Sequence, residues 1–175
     1  MKNGVNKMFK SKKQEDAMQL IKSRRSIRNY KKEPVADDLI QRVLEAGVWA
    51  PSSNHCEPVE FIVVKNETKK NELSKLSSWS GFLKEAPVNI AVIVKDSNCE
   101  LEDGSAAVMN MMIEAHSLGL GTCWIDCQNS QEYIKDTLDI PGKYRVITIL
   151  PLGYPNEKAK AKRQPVEEKT HSEKY

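Results

Sequence analysis

The sequence lacks the long apolar segments that mark membrane and secreted proteins. No apolar run approaches the ~20 residues that a membrane-spanning helix needs, and the N-terminus lacks the apolar stretch of a signal peptide. Cysteine is also scarce, since four thiols in 175 residues are too few for the disulfide framework of a small secreted domain. We therefore expect a cytoplasmic protein with reduced cysteines and no membrane partner.

Several catalytic and binding motifs are missing as well. No Gly-x-Gly-x-x-Gly fingerprint follows a predicted strand, and Gly119-Leu120-Gly121 follows a predicted helix, which argues against Rossmann-type dinucleotide binding. Neither a Ser-His-Asp arrangement nor a Gly-x-Ser-x-Gly elbow is present, so hydrolase chemistry has no residues to support it. Cys123 and Cys127 form a single Cys-x-x-x-Cys pair, a poor zinc signature, so no metal site is predicted.

The net charge excludes few classes of protein by itself, because 27 basic and 24 acidic residues leave only +3 at pH 7. The positive charge is uneven: residues 1–13 hold five lysines and no acid, and a second basic cluster covers residues 158–163. We expect residues 1–13 to be a disordered or loosely attached arm and residues 14–175 to form a single domain. A nucleic-acid-binding domain is the least favoured interpretation, because glutamates offset the basic tail.

The apolar patterning predicts helices and strands that interleave without regular βαβ spacing or an internal repeat. The helices are predicted over Gln14–Ser23, Asp37–Trp49, Glu67–Ser77, Leu101–Leu118 and from a capping box of Asn129 and Glu132 to Leu138; the strands are predicted over Val59–Lys65, Val88–Lys95, Thr122–Ile125 and Tyr144–Leu152. The run Ile90–Val94 is apolar throughout, which is typical of a central strand covered on both faces. These elements favour an α+β fold or a mixed αβα sandwich over a doubly wound fold.

The segment with the clearest chemistry follows the first predicted helix. It carries three guanidiniums and two hydroxyls within six residues, on Ser23, Arg24, Arg25, Ser26 and Arg28. Arginine binds phosphate oxygens bidentately, and a serine hydroxyl donates a further hydrogen bond. The segment is therefore either a phosphate-binding anion site or a basic turn, solvated or loosely attached to nucleic acid.

A second candidate is the polar loop Ala50–Pro58, which is delimited by prolines. Loops rich in hydroxyl and amide groups beside a rigid scaffold are where ligand contacts concentrate. An ordinary connection between a helix and a strand has a similar composition, so both interpretations stay open.

Six segments, taken in order, resemble the FMN-dependent nitroreductase family. They are Arg24-Arg25-Ser26-Ile27-Arg28, Ala50-Pro51-Ser52-Ser53 with Pro58 and Phe61, Ala86-Pro87, Gly119-Leu120-Gly121-Thr122-Cys123-Trp124-Ile125, Leu152-Gly153-Tyr154-Pro155 and Arg163-Gln164-Pro165-Val166-Glu167-Glu168. The resemblance implies a three-layer αβα sandwich with a central mixed, mostly antiparallel sheet. It also implies an intertwined homodimer with two FMN sites at the subunit interface.

The resemblance assigns the basic residues to the cofactor. Arg24, Arg25 and Ser26 would hold the FMN phosphate and ribityl chain. Arg28 would lie near the pyrimidine edge of the flavin, and Arg163 would close on the phosphate. A phosphate with nearly two negative charges needs several partners, which two basic segments of one chain could supply.

Further cofactor contacts are implied for two other segments and one glycine. The loop of the other subunit would contribute Pro51, Ser52, Ser53, Asn54 and His55. The segment that follows the predicted helix Leu101–Leu118 would contribute Trp124, Ile125 and Asp126. The backbone N–H of Asp126 would point at flavin N5. Gly153 would let the backbone approach the cofactor, or would make the turn before Pro155.

Two positions depart from the family pattern. His55 stands where many members have an asparagine, so it could be a flavin contact, a proton donor to substrate or a surface residue with no role; Asn54 could take the asparagine's place by a local shift. Cys127 stands where a glycine is common. It could tune the flavin or be oxidised, although a small buried packing residue is favoured.

The resemblance implies an FMN-dependent oxidoreductase. NADH or NADPH would reduce the flavin by hydride transfer, and a planar acceptor such as a nitroaromatic or quinone would then be reduced, with Arg28 stabilising the reduced flavin. Trp79, Phe82 and Trp124 are candidates for the acceptor slot, although each is compatible with core packing. The alternative is a flavin carrier or redox sensor with little turnover. The acceptor, the preference for NADH or NADPH and the reactivity with oxygen stay open.

Overall fold

The computed structural model describes residues 17–95 and 99–175, and the predicted basic arm of residues 1–13 lies outside them. The helices are α1 (Ala17–Ser23), α2 (Asp37–Val48), α3 (Glu67–Leu73), α4 (Glu100–Ser117) and α5 (Gln131–Leu138); the strands are β1 (Val59–Val64), β2 (Val88–Lys95), β3 (Gly121–Thr122), β4 (Ile125–Asp126) and β5 (Tyr144–Gly153). The predicted strand over residues 122–125 is thus divided into two short strands. Among the described residues, no helix is long and apolar enough to span a membrane.

The five strands form one sheet in the order β1-β2-β5-β3, with β4 also beside β5, and each strand pair is antiparallel. β2 has a partner on each side, and its residues from Val88 to Val94 are all buried. One isolated parallel bridge joins Ser26 to Thr122. The predicted mostly antiparallel sheet and the central position of β2 are confirmed.

Helices cover both faces of the sheet, because successive residues of a strand point to opposite sides. One apolar cluster joins β2 and β5 to α2 and α4 through Ile40, Val43, Val88, Ile90, Val92, Val108, Met111 and Leu150. The other joins the same strands to α3 and α5 through Leu73, Ala91, Ile93, Ile134, Leu138 and Ile149. The three-layer αβα sandwich is therefore confirmed.

The ends of α2 follow from its sequence. Asp37 and Asp38 occupy its first turn, where carboxylates interact favourably with the helix dipole. Ile40, Val43 and Gly47 form its buried side. The helix gives way to a C-cap at Trp49, two residues before a proline that cannot continue it. This end of α2 sets the start of the polar loop.

The predicted capping box of Asn129 and Glu132 is wrong. Residues Gln128–Ser130 form a 3-10 turn, so α5 begins at Gln131, and no side chain caps its N-terminus. The Gln131 side chain instead pairs with the backbone of Val146 in β5: its amide donates to the carbonyl at 2.7 Å and accepts from the N–H at 2.9 Å. A tertiary contact, which a local motif does not reveal, therefore fixes the start of α5.

Candidate functional site

The arginine segment, residues 22–30, lies against the β3 edge of the sheet because its apolar residues are buried there. The Ile27 N–H donates to the Thr122 carbonyl at 2.9 Å, next to the backbone bridge between Ser26 and Thr122. Ile27 and Tyr30 are both buried, and the Tyr30 hydroxyl donates to the Ile27 carbonyl at 2.5 Å. The arginines on either side of Ile27 are therefore presented from a fixed backbone.

Arg24 and Arg25 carry buried donors that the described part of the chain does not satisfy. Arg24 Nη1 and Arg25 Nε are buried and make no hydrogen bond within it. Arg25 Nη1 donates to the carbonyls of Lys22 and Arg24 at 2.8 and 2.7 Å, which fixes the orientation of its guanidinium. Unsatisfied buried donors on charged groups cost free energy unless an acceptor binds to them. The pair is therefore suited to an anion with several oxygens.

Arg163, from the C-terminal tail, lies close to this pair. The pKa of Arg24 is lowered, first by burial of its guanidinium and then by the neighbouring charges of Arg163 and Arg25. Three guanidiniums from opposite ends of the chain thus repel one another at this place. A phosphate monoester, with nearly two negative charges and three terminal oxygens, matches such a cluster in charge and in hydrogen-bonding capacity.

Cys123 lies next to the arginine segment. The residue is buried, and burial raises the pKa of its thiol, while the charge of Arg28, a hydrogen bond from Ser26 and the charge of Arg24 act in the opposite direction. The Arg28 N–H donates to Glu157 Oε1 at 2.5 Å, which anchors the segment to the chain that follows β5. Ser26 and Arg28 are therefore both held beside Cys123.

A cavity of about 370 Å³ begins at Arg28 and Cys123. The predicted residues Trp124, Ile125 and Asp126 line it, together with Trp79 and Phe82. The Asp126 carboxylate accepts the Gln128 N–H at 3.0 Å, so the Asp126 side chain is engaged locally. A second cavity, of about 430 Å³, lies beside Lys70 and is lined by none of the predicted site residues. The structure thus brings Arg28 and the Trp124–Asp126 segment to one cavity.

The polar loop is held by Asp103 in the first turn of α4. The Ser53 N–H donates to Asp103 Oδ1 at 3.0 Å, and the Ser53 hydroxyl lies 3.3 Å from the same oxygen. Within the loop, Ser52 Oγ accepts the Glu57 N–H at 3.0 Å. Asp103 is 4% exposed, so its carboxylate is almost fully enclosed.

The loop exposes its predicted contact residues. Pro51, Asn54 and His55 are exposed, and Ser52 and Ser53 are half-buried. Asn54 and His55 have left-handed backbone conformations, with φ of 53° and 55°. His55 therefore lies at the loop surface, and a functional role for it stays a prediction.

Sequence reasoning missed Asp103. It shares the first turn of α4 with Glu100 and Glu102, where acidic residues are common because they stabilise the helix dipole. No residue pattern separates an acid that bonds a distant loop from its two neighbours, so the sequence holds no signal for this contact.

Within one chain, the loop and the arginine segment lie at opposite ends of α4. Ser53 bonds Asp103 near the start of the helix, whereas Ser23 Oγ lies 2.7 Å from His116 Nε2 near its end. From Asp103 to His116 the helix rises about 20 Å, at ~1.5 Å per residue. The sheet shows the same separation. The loop enters β1 beside Lys95, at one end of β2, whereas the arginine segment joins β3 near Val88, at the other end of β2. One chain therefore does not bring the two predicted halves of the site together.

Gly153 has a packing explanation. A Cβ at this position would lie 2.6 Å from Pro87 Cδ and 3.0 Å from Tyr30 Cδ1. Gly153 is the last residue of β5, so the proposed turn before Pro155 is wrong. Its cofactor contact stays a prediction, because packing alone requires a glycine here.

Cys127 faces the apolar cluster on the α5 side of the sheet. It is buried, its Sγ lies 3.4 Å from the Ile125 carbonyl oxygen, and burial raises the pKa of its thiol to about 12. This environment favours the packing role over a redox role. Across residues 17–95 and 99–175, no group of three or more His, Cys, Asp or Glu side chains is arranged to hold a metal ion.

Comparison with known proteins identifies relatives over most of the chain. The model of the nitroreductase family matches residues 21–87 and 77–154. A protein of Methanothermobacter thermautotrophicus is 34% identical over 151 residues, which cover 81% of this chain and 78% of the relative. An FMN reductase [NAD(P)H] of Bacillus subtilis is 30% identical, and the alignment covers 91% of this chain and 74% of the relative.

Solved structures agree with the sequence matches. An FMN-dependent nitroreductase from Clostridium difficile R20291 superimposes with a TM-score of 0.85 at 34% identity, and the match covers 90% of this chain and 99% of that one. The residues matched by the family model include the arginine segment and the Trp124–Asp126 segment.

Proposed function

The chain belongs to the nitroreductase family, and from this premise we propose that it is an FMN-dependent oxidoreductase that uses NADH or NADPH to reduce a small planar acceptor such as a nitroaromatic or a quinone. Its relatives include an FMN reductase and an FMN-dependent nitroreductase, which supports turnover rather than a flavin carrier. The observation that carries the proposal is the cluster of Arg24, Arg25 and Arg163, with two buried guanidinium nitrogens that lack an acceptor in the described chain.

The residues present fit FMN. The cluster of Arg24, Arg25 and Arg163 matches the phosphate, and Ser26 follows Arg25 directly in the chain. The cavity at Arg28 combines apolar and aromatic side chains, among them Phe82, Trp124 and Ile125, with polar ones, which suits a planar heterocycle that has polar edges. Bound FMN would supply the hydride chemistry, for which the side chains themselves have no equivalent group.

The chain would orient the cofactor and tune its charge. Arg28 would place a positive charge at the edge of the flavin ring, where negative charge develops on reduction. The Asp126 N–H would donate to the ring, while the Asp126 carboxylate is held back by the Gln128 N–H. Trp124 and Ile125 would form the wall on which the ring lies. Gly153 would keep β5 close to the site by leaving room for Pro87.

A homodimer would complete each site. The loop that carries Pro51, Ser52, Ser53, Asn54 and His55 lies about 20 Å along α4 from the arginine segment of its own chain, so it would contact the flavin held by a second copy. Helices α1, α2 and α4 expose large apolar side chains, among them Ile21, Val48 and Met109, which a second copy would cover. The dimer interface would therefore be continuous with the active sites.

Mixed dimers test this arrangement. One chain would carry Arg24→Ala with Arg163→Ala, and the other Ser52→Ala with Ser53→Ala. If each site uses arginines from one subunit and the loop from the other, random co-assembly restores about a quarter of the sites, because half of the dimers are mixed and each contains one intact site. If the co-assembled sample is no more active than either substituted homodimer alone, the shared site is contradicted.

The acceptor would bind beside the flavin at the open side of the cavity. Trp79 is 85% exposed there, and Phe82 and Trp124 line the same space. Hydrogen bonds hold the turn that carries Trp79: Ser80 Oγ accepts the Ser77 N–H, and its single proton is within reach of the carbonyls of Ser74 and Ser77. An exposed indole on a fixed turn favours planar acceptors over flexible ones.

The activity assay is direct. Purified protein loaded with FMN should oxidise NADH or NADPH in the presence of a nitroaromatic or a quinone, with product formed in step with the nicotinamide consumed. FMN-loaded protein that oxidises neither nicotinamide would contradict the proposed reaction and favour the carrier.

A further inference from the structure

The buried carboxylate of Asp103 has a function that the proposed chemistry does not explain. It lies in the first turn of α4, it is 4% exposed, and three of its contacts reach the polar loop. Oδ1 accepts the N–H and hydroxyl of Ser53, at 3.0 and 3.3 Å, and Oδ2 lies 3.9 Å from the Cys56 thiol. Burying a carboxylate is costly unless hydrogen bonds compensate, and here the loop provides them.

The loop needs an anchor because its backbone is strained. Asn54, His55 and Glu57 have φ of 53°, 55° and 45°, the left-handed region that side chains other than glycine and asparagine rarely adopt. Such a conformation costs free energy at His55 and Glu57, which the surrounding contacts must offset. The bonds from Ser53 to Asp103 immediately precede this strained stretch and hold its start to a rigid helix.

We propose that Asp103 is a positioning residue of the flavin site: by fixing Ser53, it sets the conformation in which the loop meets the cofactor held by the second subunit. The inference rests on the proposed function. It adds a residue that makes no contact of its own with the flavin, and it links cofactor affinity to a carboxylate at the far end of α4 from the arginine segment.

Three variants test it: Asp103→Ala, Asp103→Asn, and Glu132→Ala as a control. Asparagine keeps an oxygen that accepts from Ser53, whereas alanine removes it. Glu132 is likewise an acid in the first turn of a helix, in α5, and its side chain is paired only with Lys135 among the described residues. It therefore reports the loss of a helix-dipole interaction without a loop contact. The readouts are the FMN dissociation constant from fluorescence titration, the visible circular dichroism of bound flavin and the thermal unfolding of the apoprotein.

Asp103→Ala should weaken FMN binding about tenfold or more, as expected when hydrogen bonds to a charged group are lost. It should also change the visible circular dichroism of the remaining bound flavin. Asp103→Asn should bind FMN within about threefold of the parent, since it keeps an oxygen acceptor for Ser53. Glu132→Ala should bind FMN like the parent. If Asp103→Ala does not fold, Asp103→Leu, which keeps the branched shape of the side chain but has no oxygen to accept from Ser53, replaces it and should produce the same loss of FMN affinity.

A soluble Asp103→Ala protein with a lower melting temperature but unchanged FMN affinity and spectrum would overturn the inference, because Asp103 would then only support α4. If the fallback variant Asp103→Leu is used, unchanged FMN affinity and an unchanged flavin spectrum would overturn it in the same way. A parent protein that binds no FMN at all would instead contradict the proposed function, and the inference with it. The parent titration therefore distinguishes the two failures.

Discussion

The guanidinium of Arg24 lies close enough to that of Arg163 for the second charge to lower the pKa of the first. The two residues lie near opposite ends of the described chain, one after α1 and the other in the tail. Their proximity has no stabilising value by itself, because like charges repel. It is explained if an anion lies between them, and the FMN phosphate is the anion that the family provides.

Replacing Arg24 or Arg163 by alanine should weaken FMN binding by about 1.5–3 kcal/mol each, the range for a lost hydrogen bond to a charged group. Equilibrium dialysis or fluorescence titration measures the change. Arg42→Ala is the matched control, since Arg42 pairs with Glu114 and is not a predicted site residue. Bound flavin that both site variants keep through extensive dialysis would show that the phosphate lies elsewhere.

In the absence of FMN, Arg24→Ala should not destabilise the protein. Arg24→Ala removes a partly buried charge that Arg163 and Arg25 repel, so its apoprotein should be as stable as the parent or more stable. Inorganic phosphate should raise the melting temperature of the parent apoprotein by binding to the folded state, and should do so less in Arg24→Ala. An equal rise in both proteins would contradict a phosphate site at Arg24.

Gly153→Ala should destabilise the protein by about 1–3 kcal/mol, because the new Cβ would overlap Pro87 at the end of β5. Gly142→Ala is the control, since a Cβ there meets no atom within 4 Å. Urea unfolding of the two variants gives the comparison. Equal stability of the two would show that β5 has room for a side chain and that packing does not explain the glycine.

Stability should fall as the pH rises from about 9 toward 12. Burial raises the pKa of the Cys127 thiol from its ordinary value of 9.0 to about 12, and burial also raises the pKa of the Tyr30 hydroxyl. The folded state therefore keeps these protons longer than the unfolded chain, so this contribution is complete below pH 9 and is lost above it. Urea unfolding of the parent and of Cys127→Ala over this range should give a steeper decline for the parent. Parallel pH profiles would exclude a contribution from Cys127.

Trp79→Ala should raise KM for planar aromatic acceptors by about fivefold, equivalent to ~1 kcal/mol of lost aromatic contact, and Trp79→Phe should recover most of it. Ferricyanide, which is not aromatic, serves as the control acceptor and should be reduced at the parent rate. If Trp79→Ala leaves the KM for planar acceptors unchanged, or changes it by the same factor as the KM for ferricyanide, Trp79 is not part of the acceptor slot.

The sequence predicts the fold well where the signal is local. The apolar run of β2 and the stripe of α2 identify a central strand and a covering helix, because burial on two faces or on one leaves its own periodicity. The start of α5 is missed for the opposite reason. Gln131 is placed by its bonds to Val146 in β5, a contact between elements that is invisible in the local pattern around Asn129.

The candidate site also has a part with a local sequence signal and a part that depends on tertiary contacts. Arg24, Arg25 and Arg28 are recognisable because their chemistry is concentrated in one short segment. The part played by Asp103 depends on a hydrogen bond to Ser53, fifty positions away, so no spacing rule reveals it. The convergence of Arg163 on Arg24 is implied only by family resemblance, since between Pro155, which is bridged to Tyr30, and its 3-10 turn the tail forms no helix or strand with a recognisable pattern.

The measurement that tests the central claim most directly is an anaerobic absorbance spectrum of the FMN-loaded protein before and after addition of NADH, and then of NADPH. We predict a flavin band near ~450 nm that bleaches rapidly with at least one nicotinamide and returns when a quinone is added. A bound flavin whose band persists with both donors would contradict the oxidoreductase assignment. Failure to bind FMN would contradict the assignment of the arginine cluster as well.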